Sequence, residues 1–344
     1  APCGCGSQVL MPSFVISSPI QAQWNGYLNE SITIARNQIV LAFNSTESVW
    51  VATGGSPTTQ PRSTQTNTGN APKGYIEIKL VTDLLIDGNV FSGWQSGLVL
   101  TSRNQGNVSG SGGVPWAGLF NVTISSNWWT HMVNWDRIFG FPFGGPQLED
   151  NDYTSVRSFP VTFTNNLIDS GVESFITTGA ANNVTATHNT YVGDEVPPGS
   201  SMFLGQGANS PSLIFEDNII PNNEHSRNCQ LSPFTLDTCW PGMVFTNNLV
   251  LDNRSAAEKV GDGPLNYPGN VVVQTQAAIQ WVNQSGNNFR LQPSSPGYKT
   301  ATDGQDMGVV WGTLVAALGF DPSGLTSDVV LSGGVTISSG VTIS

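Results

Sequence analysis

The stretch "NWWTHMVNWDRIFGFPFGGPQLEDNDY" (127–153) sets Asp136 beside Arg137 and follows them with Glu149, Asp150 and Asp152. Carboxylates clustered this closely are hard oxygen ligands that can hold Ca²⁺, and an adjacent acid and base can move a proton. Aromatics crowd the same region: Trp116, Phe120, Trp128, Trp129, Trp135, Phe139, Phe141 and Phe143. Exposed rings of this kind can stack on sugars. If the chain is an enzyme, Asp136 and Arg137 are the candidate catalytic pair, and if it holds Ca²⁺, Glu149, Asp150 and Asp152 are the candidate ligands. Trp128, Trp129, Trp135, Phe139, Phe141 and Phe143 form its carbohydrate-binding or interface surface. The plainer reading is an inserted loop that packs its aromatics on the body or on another subunit, with "EDND" as a solvated turn.

Other titratable groups are scattered. His131, His188 and His225 show no metal-ligand spacing with the cysteines. "FEDN" (Glu216, Asp217) reads as a corner facing solvent, and "TDGQD" (Asp303, Asp306) as turn chemistry ahead of a helix. "NNEHSRNC" gathers Glu224, His225 and Arg227 beside a cysteine, which a disulfide-tied loop explains equally well. Of the cysteines, Cys229 and Cys239 enclose a short loop containing Pro233 that suits a local disulfide. Cys3 and Cys5 read as a C-x-C turn or as half of a longer bridge. With an Ala start and no Met, this suggests an exported, extracellular chain. N-x-S/T triplets begin at Asn29, Asn44, Asn107, Asn121, Asn183, Asn253 and Asn283. A composition this rich in Asn, Ser and Thr yields such triplets by chance, so they permit glycosylation without arguing for it.

Composition narrows the partners. Only 10% of the 344 residues are charged, against about 25% in ordinary soluble domains. The net charge of -12 repels nucleic-acid phosphates. No stretch approaches the roughly 20 apolar residues of a membrane-spanning helix.

What must position any site is a repeat: apolar, any, apolar, any, any, Asn, any, apolar. It occurs as "ITIARNQI" (Asn37), "LLIDGNVF" (Asn89), "VTISSNWW" (Asn127), "VTFTNNLI" (Asn166), "VTATHNTY" (Asn189), "LIFEDNII" (Asn218) and "MVFTNNLV" (Asn248). Alternating apolar residues make a short strand with one buried face. Asn tolerates left-handed backbone angles, so it is expected at a tight corner between two strands. Copies that cannot bury their faces alone share a core when stacked, and their Asn amides then form a ladder. A β-sandwich with Asn-rich turns is the alternative, although sandwiches rarely repeat one phrase so often.

The repeat resembles the right-handed parallel β-helix, or pectate-lyase-like, superfamily over about residues 30–295, and is most similar to secreted bacterial β-helix repeat proteins. The family's final stretch is matched by "NFRLQPSSPGYKTATDGQDMGV" (288–309). The resemblance implies two possible chemistries. Hydrolases of the superfamily carry N-x-D, D-D, G-H-G and R-x-K motifs; only "NWD" (134–136) matches in letters. Its lyases need Ca²⁺ carboxylates and an Arg or Lys base, which the 127–153 stretch could supply.

The tail remains. In "DVVLSGGVTISSGVTIS" (328–344), Val329, Leu331, Val335, Ile337, Val341 and Ile343 share one face of an extended chain. Such an uncharged strand is an edge that monomers normally guard, so it is expected to add to a neighbouring copy. The alternative is pairing along its own subunit. The expected organisation is an N-terminal cap (1–29), a parallel β-helix with inserted loops (30–307), an apolar helix (308–320) capping the last coil, and a linker with a strand tail (321–344). The function read from this is structural, in an extracellular filament or other homo-oligomeric assembly without a cofactor. The rival is a polysaccharide binder or Ca²⁺-dependent lyase.

Overall fold

The computed structural model describes residues 14–16, 30–44, 49–52, 76–78, 81–92, 98–101, 119–130, 147–149, 158–169, 176–178, 182–192, 203–205, 213–221, 242–252 and 267–325. The alternating residues ahead of each repeat asparagine form strands Glu30–Ala35, Val81–Asp87, Leu119–Ser125, Ser158–Thr164, Asn182–Thr187, Leu213–Glu216 and Val244–Thr246. These pair in parallel and in chain order as sheet I. The residues after each asparagine form sheet II, which runs from Gln38–Asn44 through Val90–Ser92 and Trp128–Thr130 to Val271–Val273. Sheet III is six parallel strands, from Phe14–Ile16 through Ile76–Ile78, Leu98–Thr101, Gln147–Glu149 and Ile176–Thr178 to Phe203–Gly205. The chain is thus an all-β parallel solenoid rather than two facing antiparallel sheets. Among the described residues, antiparallel pairing is confined to Val49–Ala52 on residues 41–44 and to Trp281–Asn283 on Asn288–Leu291.

Exact register builds the core in columns. Ile34, Ile86, Ile124, Phe163, Ala186, Phe215 and Phe245 lie over one another on the inner face of sheet I, all buried. Across the corner, Phe91, Trp129, Ile168, Tyr191, Ile220 and Val250 do the same in sheet II. Rings stack along the axis, with Phe91–Trp129 centroids 5.3 Å apart and Phe215–Phe245 5.5 Å apart. Each such side chain contributes about 1.5–3 kcal/mol by leaving water.

The corner differs from expectation in one respect. The left-handed residue is the one before the asparagine: Arg36, Gly88, Ser126, Asn165, His188, Asp217 and Asn247 all have φ between 52° and 64°. The bend is made one step early so that the asparagine can turn its amide along the stack.

The C-terminal region also departs from the expected plan. Parallel coils end at Val271–Val273, and the helix does not cap the last of them. Residues 276–325 cover the outer face of sheet II. There Val90, Trp128, Leu167, Ile219, Leu249 and Leu251 form a second core with Trp281, Phe289, Met307, Val309, Trp311, Leu314 and Leu318. The helix itself is Trp311–Leu318, closed by Gly319 in the left-handed conformation. It buries one side only, through Trp311, Leu314 and Leu318. At the other end, strand Phe14–Ile16 pairs with Ile76–Ile78, so sheet III begins ahead of residue 30.

Candidate functional site

The aromatic surface predicted from sequence is corrected at two positions. Trp128 and Trp129 are 3% and 0% exposed, so neither can offer a face to a sugar. Adjacent residues on a strand point to opposite faces, and here both faces are covered. Trp129 lies inside the coil between Phe91 and Phe163. Trp128 lies outside it but under the C-terminal cover, its ring 6.2 Å from Phe320 and its Nε1 donating to Asp169 Oδ2 at 2.6 Å. Glu149 ends strand Gln147–Glu149 in sheet III. Trp135, Asp136, Arg137, Phe139, Phe141, Phe143, Asp150 and Asp152 lie outside the described residues. So do Cys3, Cys5, Cys229 and Cys239, and the tail positions Val329, Leu331, Val335, Ile337, Val341 and Ile343.

The asparagines form one continuous ladder. Each rung donates its backbone N–H to the Oδ1 of the next, from Asn37 through Asn89, Asn127, Asn166, Asn189, Asn218 and Asn248 to Asn270, at 2.9–3.0 Å. The side-chain Nδ2 reaches the same oxygen and, from the second rung on, also a strand carbonyl of the preceding coil, as Asn166 does to Ile124 O at 3.0 Å. The six inner rungs are wholly buried, so every donor and acceptor is matched away from water. Asn270 is an eighth rung that the repeat search missed.

The row of left-handed residues beside the ladder forms a second polar line, and the C-terminal cover is fastened to it. Asn165 Oδ1 accepts the Val310 N–H at 2.6 Å, and Asn165 Nδ2 donates to Ser126 Oγ at 3.0 Å. Asp217, 2% exposed rather than facing solvent, accepts the Thr302 N–H at 2.9 Å on Oδ1 and the Thr302 hydroxyl on Oδ2. Its carbonyl takes the Gly308 N–H at 2.7 Å. His188 Nδ1 lies 3.0 Å from Gly308 O; a carbonyl can only accept, so Nδ1 carries the proton. Nε2 then faces Asp303 Oδ2 at 3.4 Å and Asp217 Oδ2 at 3.8 Å.

A histidine between two carboxylates can be an acid–base device, but here the Asp217 oxygens are occupied by Thr302. The cluster fastens chain to chain. Burial, and then repulsion from Asp217, pushes the neighbouring Glu216 carboxyl above the ordinary range. At the far end of the cover, burial pushes the Asp321 carboxyl up. Bonds from Ser323 and Trp311 and the charge of Arg290 together outweigh it and hold it below the ordinary range. Arg290 also lies over the Trp311 ring, 5.6 Å from its centroid.

Among the described residues no group of three or more His, Cys, Asp or Glu is placed to hold a metal ion, and no helix is long and apolar enough to cross a membrane. The covered outer face had a signal in the sequence: the residue after each repeat asparagine, read as unconstrained, is Val90, Trp128, Leu167, Ile219, Leu249 or Val271 in most copies. No family model, curated protein or solved structure matches the chain.

Proposed function

We propose that the chain is a right-handed β-helix of the pectate-lyase-like superfamily serving as a structural subunit of an extracellular filament or surface layer, with residues 328–344 added as a strand to a neighbouring copy. The observation that carries this reading is the anchoring of the chain just before that tail. Gly324 donates to Gly286 O at 2.6 Å and Asn287 Nδ2 donates to Leu325 O at 2.6 Å, so the tail departs from a fixed point on the body. A segment rooted this firmly carries the whole body with it when it pairs, and its high β propensity favours pairing.

Removal of residues 326–344 tests the reading. Full-length protein is expected to form elongated particles by electron microscopy and light scattering, and the truncated protein to remain small. Equal behaviour of the two removes the tail from assembly. The polysaccharide reading loses Trp128 and Trp129, and release of unsaturated sugar from pectin or alginate with Ca²⁺ would restore it.

A further inference from the structure

We propose that the two ends of the asparagine ladder are mating surfaces, so that Asn270 of one copy seats on Asn37 of the next and the ladder runs on through the assembly. This rests on the assembly reading above and names the contact that sets its axis.

The ladder is directional, since each rung donates forward to the Oδ1 of the following one. Its two ends are therefore left with opposite needs. Among the described residues, nothing donates to Asn37 Oδ1 and nothing accepts the backbone N–H of Asn270. The terminal rungs are also the half-buried ones, whereas the six between them are wholly buried.

The core columns end in the same way. Ile32 is half-buried where Leu84, its partner in register, is 1% exposed. Val272 is half-buried where Val250 is 0% exposed. Among the described residues, each end thus shows a half-buried apolar interior beside an unfilled half of a hydrogen-bond pair. A surface that completes both at once must repeat the cross-section of a coil with an inward asparagine at the same corner, and the opposite end of this chain has that form. Among the described residues, the antiparallel strand Val49–Ala52 pairs with residues 41–44 and not with 38–40 beside the first rung.

The test is a double variant, Asn37→Cys with Asn270→Cys. Seven coil steps of about 4.8 Å hold these positions roughly 34 Å apart in one molecule, well beyond the ~7 Å limit for a disulfide. A bond between them must join two molecules. Mild oxidation is expected to give a series of covalent multimers on a non-reducing gel. Each single variant should add nothing larger than a dimer to the wild-type pattern. A second variant leaves the ladder untouched: Gln38→Pro removes an N–H that points away from the neighbouring coil, as proline allows on an edge strand. It should raise the protein concentration needed for assembly by roughly tenfold, the worth of about one hydrogen bond, at unchanged melting temperature. If wild type forms elongated particles but the double variant gives no multimers beyond the singles, or Gln38→Pro assembles as wild type does, end mating is overturned and the assembly reading stands. If wild type sediments as a monomer at every concentration, both fall.

Discussion

Thr302 donates twice to Asp217, once from its backbone and once from its hydroxyl, across 85 residues of sequence. The pair joins the C-terminal cover to a corner in the middle of the stack, with the Asp217 carboxylate buried and Thr302 at the surface. Asp217→Ala removes both charge-assisted bonds and puts a residue of poorer left-handed tolerance at φ 59°. It is expected to lower unfolding free energy in urea by about 2–4 kcal/mol. Asp217→Asn tolerates that backbone and keeps one acceptor, so it should cost less than half as much.

The ladder predicts a gradient of damage along the stack. Asn166→Ala removes a buried residue that bonds to Asn127, Asn189, Ile124 and Thr164. A loss of about 3 kcal/mol or more is expected from the orphaned groups alone. Asn37→Ala, at the solvent-touched end, should cost about 1 kcal/mol. Equal losses in chemical denaturation would show that the rungs do not act through burial.

Two glycines mark where the C-terminal cover comes closest to the coils. At Gly88 (φ 64°) a Cβ would run into the backbone of Ala317, and at Gly308 (φ 79°) into Thr190 and Ile219. Either change to Ala is expected to cost about 2–4 kcal/mol, from left-handed strain plus overpacking. Limited proteolysis should then cut first within residues 297–325, while wild type resists there.

Acid should act on two carboxyls in opposite directions. Asp321 is held below the ordinary range, so its contribution is present above that range and fades as pH falls through its lowered value. Asp321→Asn should flatten that acid limb of the stability curve. Glu216 is raised, so its ionised form is a cost at neutral pH that is relieved as pH falls through the raised value. Glu216→Gln should stabilise the protein at neutral pH and make no difference below the ordinary carboxylate range. Melting temperature against pH for the three proteins checks both signs.

The repeat made the fold legible because register in a parallel stack copies one inward pattern from coil to coil. Asn270 escaped because "YPGN" reads as a loop: Pro268 breaks the strand pattern, though Gly269 is left-handed like Gly88 and Tyr267 still packs on Phe245 at 5.8 Å. The left-handed position was misassigned by one residue, since types as different as Arg36, Ser126 and His188 fill it. Propensity could not reveal what neighbouring coils enforce. The tryptophans looked like a ligand platform because a strand apolar on both faces has the same letters as an exposed aromatic patch. Only the distant partners, Phe320 and the helix, tell them apart.

The cover over sheet II also has a consequence in time. The coils from Gly88 to Asp217 are ready to wind as soon as they leave the ribosome, yet the residues that shield their outer wall, 302–320, are made only after all of them. Until then Val90, Trp128, Leu167 and Ile219 face water on a finished stack. A nascent chain of this protein is therefore a target for chaperones until residue 320 has emerged, and truncation ahead of residue 276 should leave it wound but adhesive.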